Sequence, residues 1–147
     1  MENKDKITKA INDWFLKFDK IKEFAEIHTE ELPEEVETLS LQRSGVENLP
    51  TRYIGEKCCY KQYQYILLLK NMSEDDSQRL KSLDWLDDLS DWIHQQNLKR
   101  DYPILENKQV KKVSCANGIT YETDEEENVT IYYIQLYFDI KGGNLNG

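Results

Sequence analysis

Residues 129–143, VTIYYIQLYFDIKGG, constrain the fold more than any other part of the chain. A β-strand sends alternate side chains to opposite faces of its sheet, so the two sets are read separately. Tyr132, Ile134, Leu136, Phe138 and Ile140 form an unbroken apolar row. Val129, Ile131, Tyr133, Gln135, Tyr137 and Asp139 form the other, which is also largely apolar and aromatic. An antiparallel strand in a small domain commonly gives its second face to water. Here both faces ask for cover, either from the chain's own helices or from another molecule.

The stretch KCCYKQYQYILLLK, residues 57–70, has a similar character. Tyr60, Gln62, Gln64, Ile66 and Leu68 share one face, while Cys59, Lys61, Tyr63, Tyr65, Leu67 and Leu69 share the other. Its β-branched and aromatic content predicts a strand, apolar on both sides at its far end. Tyr63, Tyr65, Tyr133 and Tyr137 therefore admit two readings. Two helices cover the two sheet faces and bury these rings within one subunit, or the rings serve as contact surface, where tyrosine offers large area with a polar tip.

At 147 residues, the chain can bury roughly two-thirds of its unfolded surface as one domain, whereas two domains would each be marginal. We read a single domain over 1–147, with GGNLNG, 142–147, as a flexible tail. The 11% aromatic and 39% hydrophobic content exclude a disordered polypeptide. The net charge of −9 opposes tight wrapping of phosphate backbones, which runs on Lys and Arg displacing counterions. It suits solubility, a DNA mimic, or a surface that DNA must slide past. Cys58, Cys59 and Cys115 are too few and too badly placed for a disulfide framework, so a reducing compartment is expected. The N-terminal MENKDKITKAINDWF has no apolar run after its lysines, so no secretory leader is expected. The longest apolar run, Tyr65 to Leu69, is far short of a membrane span.

Ile7, Ile11, Trp14, Phe18, Ile21 and Ala25 recur at spacings of four and three. They predict one amphipathic helix of about 20 residues, with Ala10, Phe15 and Phe24 widening its stripe. HTEELPEE, 28–35, reads as an acidic break ended by Pro33, and VETLSLQ as a short strand. RSGVENLPTRYIGE, 43–56, reads as a long irregular loop because of its glycines and proline. Asn71 to Gln96 is the clearest helix, capped by Ser73 and buried through Trp85, Leu86, Leu89, Trp92 and Ile93, with help from Leu80 and Leu83. VKKVSC and ITYET flank Asn117-Gly118, which either closes a hairpin or bulges one longer strand. The acidic turn DEEEN, 124–128, leads into the last strand. The fold class is therefore α+β, a mostly antiparallel sheet flanked by two main helices, in the order helix, strand, strand, helix, strand, strand.

No G-x-S-x-G, Gly-rich phosphate loop, H-E-x-x-H or C-x-x-C is present. His28 and His94 stand at no ligand-like spacing from a cysteine. We expect no catalytic residue, no metal site, no cofactor and no enzyme activity. Asp84, Asp87, Asp88 and Asp91 fall on one side of the second helix, away from Leu86, Leu89 and Ile93. This stripe is first a solvated face, second an electrostatic surface for a basic partner or one that repels DNA, and last a metal site or a pair of catalytic carboxylates. Glu122 with 124–127 is a solvated loop or a docking point for a lysine-rich partner.

The order of elements resembles one known family. A long N-terminal helix precedes LSLQ and a loop with Gly45 and Gly55. The strand YKQYQYILLLK, the helix LKSLDWLDDLSDWIHQQN and the closing strand TIYYIQLYFDIKG follow. This resembles the minor capsid or tail terminator (tail completion) family of long-tailed phages that infect Gram-positive bacteria, and of phage-tail-like particles. The resemblance implies a homo-oligomer, a hexameric ring on the last disc of the tail tube. Its partners would be the tail tube protein and a head-completion or connector protein. DNA would pass through the ring without specific binding, and no membrane is involved. It implies a virion location at the head-proximal end of the tail, after synthesis in the host bacterial cytoplasm. The residues expected to make contacts are Tyr63, Leu67, Leu69, Ile131, Tyr133 and Tyr137, with the charged turn at Glu125, Glu126 and Glu127. The rival readings are an acidic protein-binding module or DNA mimic, and a small hydrolase with paired carboxylates such as Asp88 and Glu122.

Overall fold

The computed structural model describes residues 6–23, 27–29, 38–49, 60–116, 119–124, 126 and 128–142; at 22–23, 27–29, 48–49, 119–122 and 124 it describes the backbone alone. Helix α1 (Lys6–Phe15) is followed by a 3-10 helix (Asp19–Glu23), and then by strands β1 (Ile27–Thr29), β2 (Thr38–Leu49) and β3 (Tyr60–Met72). Helix α2 (Asp76–Lys99) leads into β4 (Ile104–Leu105), β5 (Lys108–Cys115), β6 (Ile119–Asp124) and β7 (Val129–Lys141). The result is an α+β fold with a seven-stranded sheet in the order β1-β2-β3-β7-β5-β4, in which β6 also pairs with β7. All pairs are antiparallel except β1 with β2.

The long strands β3 and β7 pair along their whole length, Tyr60 opposite Lys141 and Met72 opposite Val129. That register puts Tyr63, Tyr65, Leu67 and Leu69 beside Phe138, Leu136, Ile134 and Tyr132. Leu39 and Leu41 extend the row on β2, and Val110 and Val113 extend it on β5. Both helices pack on this one face. Trp14 of α1 lies 4.7 Å from Trp92 of α2 and 5.9 Å, edge to face, from Phe138, while Phe18 stands edge to face on Trp85 at 5.6 Å. Of the two readings, the one in which the helices cover opposite faces is therefore not the arrangement observed. Their aromatic stripes need each other as well as the sheet, so they form a single layer.

The predicted 20-residue first helix is shorter than its pattern. After Phe15 the backbone bonds tighten, with Lys17 N–H donating to Trp14 O and Phe18 N–H to Phe15 O. Such three-residue spacing is the 3-10 geometry. It keeps Phe18 and Ile21 on the core side and leaves Leu16 exposed. The acidic break contains β1, which lies parallel to Leu39–Leu41; residues 30–37, Pro33 included, lie outside the described residues. The expected loop from Arg43 is strand up to Leu49, because β2 absorbs Ser44 as a bulge between Arg43 and Gly45 and resumes pairing with β3. Residues 50–59, with Cys58, Cys59, Tyr53 and Gly55, lie outside the described residues.

Asp75, not Ser73, caps α2: its carboxylate accepts from Gln78 N–H at 2.9 Å. Ser73 is buried, its hydroxyl accepting from Thr130 Oγ1 at 2.8 Å. Trp85, Leu86, Leu89 and Ile93 are buried as expected and Trp92 partly so, but Leu80 is exposed. The helix ends on Arg100 in the left-handed region (φ 58°), with Arg100 N–H bonded to Asn97 O and Asp101 N–H to Gln96 O. This is the Schellman closure, usually built on glycine.

Pairing on either side of residues 117 and 118 settles the question raised by Asn117-Gly118, although both lie outside the described residues. Cys115 sits opposite Leu136 and Ile119 opposite Tyr133, so β5 and β6 run in the same direction along β7. They are two lengths of one interrupted strand. β6 then pairs antiparallel with β7, Asp124 opposite Val129.

Candidate functional site

With both helices on one face, the other face of β3 and β7 is the candidate site. Its rows meet in register: Gln62 opposite Asp139, Gln64 opposite Tyr137, Ile66 opposite Gln135, Leu68 opposite Tyr133 and Lys70 opposite Ile131. Lys112 and Ser114 of β5 flank Asp139 and Tyr137, and Gln42 and Glu47 of β2 flank Ile66 and Gln62. The alternation of the strands is enough to place these side chains together, since every second residue returns to the same face.

A graded environment results. Toward one end Ser40 and Leu68 are buried, at 0% and 7% exposure. Tyr133 and Ile131, at that same end, and Ile66, Gln135, Tyr137 and Asp139, toward the other end, are each half-buried. The polar groups there are joined in a ladder. Gln62 Nε2 donates to Asp139 Oδ1 at 3.1 Å, Gln64 Nε2 to Gln62 Oε1 at 3.0 Å and Glu47 Oε1 at 3.2 Å, and Tyr137 OH to Gln135 Oε1 at 2.7 Å. Such a ladder fixes the rotamers of long side chains before any partner arrives, and preorganised side chains lose less entropy on binding. The face carries Tyr133 and Tyr137 among polar groups, and tyrosine is a residue enriched in protein contact surfaces.

Three of the expected contact residues lie elsewhere. Leu67 and Leu69 are fully buried under the helices, and Tyr63 is 9% exposed within the same core. They belong to packing inside the chain, because their face is the one that the helices occupy. Ile131, Tyr133 and Tyr137 are together on the open face. Glu126 is exposed in the turn before β7, whereas Glu125 and Glu127 lie outside the described residues.

The acidic stripe of α2 is partly balanced. Asp84, Asp87 and Asp91 are exposed and Asp88 is half-buried. Lys20 forms an ion pair with Asp88, and Lys81 joins them in lining a shallow depression of about 490 Å³ beside Trp85. Two lysines among these carboxylates break up any phosphate-like run. Among the described residues, no group of three or more His, Cys, Asp or Glu could hold a metal ion. The side chain of Glu122 is not described, and nothing described brings Asp88 to it. Cys115 is half-buried against Ser90, 3.1 Å from its hydroxyl. Burial raises its thiol above the ordinary range, while the Ser90 hydrogen bond opposes the shift. The thiol therefore stays protonated near neutrality and is a poor nucleophile.

No family model and no curated protein matches the chain. Among the described residues, no helix is long and apolar enough to cross a membrane.

Arg43 is the one polar residue of note that the sequence reading missed, having placed it in a loop. Its guanidinium lies 5.0 Å from the Tyr63 ring centroid and within 3.4 Å of the Tyr65 hydroxyl, which also meets Thr8 Oγ1 at 2.7 Å. The usable signal was the alternation L-S-L-Q-R continuing past Gln42. By contrast, the Tyr132 hydroxyl is buried without a hydrogen-bond partner. Tyr65→Phe is therefore expected to cost about 1–2 kcal/mol of unfolding free energy, since Thr8 loses a buried partner. Tyr132→Phe is expected to be neutral or stabilising by up to about 1 kcal/mol. Urea unfolding of both variants checks the pair; equal destabilisation would contradict the assigned bonding.

Proposed function

We propose that this chain is a non-enzymatic structural subunit of a phage tail or tail-like particle. It is a tail terminator whose ring, hexameric by likeness to that family, caps the tail tube and joins it to the head-completion or connector protein. The observation that carries the reading is the open face of β3 and β7. Ile66, Ile131, Tyr133 and Tyr137 are only partly buried there, and both described helices pack on the other face. A neighbouring copy or a tube disc supplies the missing cover. The net charge of −9 fits a bore that DNA traverses without adhering. By the same reading the protein is made in the host bacterial cytoplasm and ends in the virion. A DNA mimic is the weaker reading, because Lys20 and Lys81 interrupt the carboxylates of α2.

The test is assembly. Light scattering behind size-exclusion chromatography is expected to give a closed oligomer, and addition to polymerising tail tube protein is expected to arrest tube growth. Tyr133→Asp with Tyr137→Asp should abolish either behaviour while leaving the melting temperature within a few degrees. A wild-type chain that remains monomeric when concentrated and leaves tube growth unchanged would overturn the proposal.

A further inference from the structure

We draw no further inference here: the strongest candidate, the groove of about 300 Å³ between α1 and residues 102–104 with Trp14 and Ile104 in its walls, carries nothing, because its Lys6, Lys9 and Lys17 already pair with Glu106, Asp13 and Asp101 and nothing in the structure shows what covers it.

Discussion

Phe138→Ala is expected to lower the unfolding free energy by about 3–5 kcal/mol, the range for emptying a fully buried aromatic site. Phe138 has no exposed surface and stands edge to face on both Trp14 and Tyr65, at 5.9 and 5.7 Å. It is the place where α1, β3 and β7 meet. Its removal leaves a void that indole and phenol rings, fixed by their own partners, collapse into poorly. The indole of Trp14 is held by its bond to Asp101 O at 2.8 Å, and the Tyr65 hydroxyl by Thr8. The adjacent Tyr137→Ala provides the control. That ring lies on the face away from the helices, only partly buried, and its loss in the isolated chain is expected to cost about 1 kcal/mol or less. Guanidinium unfolding of the two variants measures the asymmetry between the faces. If both substitutions were equally damaging to the monomer, the face assigned to a partner would already be covered, and the proposed function would lose its support. If Tyr137→Ala is mild for folding yet weakens assembly, the two faces have the separate duties argued above.

The second large effect is expected at Asn97, through the edge of the sheet. Its amide donates to Val113 O, and its Oδ1 accepts from Val113 N–H at 3.0 Å. One side chain thereby satisfies both backbone groups that β5 turns away from β7. Asn97→Ala leaves two backbone groups of the fully buried Val113 unmet, a loss of about 1–3 kcal/mol. It also exposes a strand edge, and open edges recruit other chains. The variant should therefore unfold at lower denaturant and form aggregates on warming that wild type does not form, read by light scattering. Asn97→Asp tests the geometry, since a carboxylate keeps the bond to Val113 N–H but cannot donate to Val113 O. Its stability should fall between alanine and wild type. An alanine variant with unchanged stability and solubility would show that water replaces the amide at no cost.

The division between legible and illegible follows the range of the forces involved. Alternation along β3 and β7 and the stripe of α2 were both readable. They arise from how one segment meets water, and a segment carries that information in its own residues. Ser73 misled because a capping side chain was judged by position, whereas tertiary contact with Thr130 had claimed it and left the cap to Asp75. Gly45 misled in the same way. A glycine reads as a loop until a neighbouring strand pairs across it, and β3 resumes its ladder with β2 beyond the bulge. The α1 pattern continues past Phe15 in the sequence, yet only the aromatic cluster with Trp85 and Trp92 shows why the backbone tightens there.

The candidate site divides along the same line. Sequence alone determined that β7 has two apolar faces, that its tyrosines alternate with the core row, and that a −9 chain carries an acidic turn. Only the tertiary structure decided which face the helices take, and so moved Tyr63, Leu67 and Leu69 into the core while leaving Ile131, Tyr133 and Tyr137 outside. It also decided that β5 and β6 share one edge of β7. Those choices depend on contacts between residues far apart in the chain, where burying one aromatic layer on one side of a sheet outweighs the local preference of any single strand.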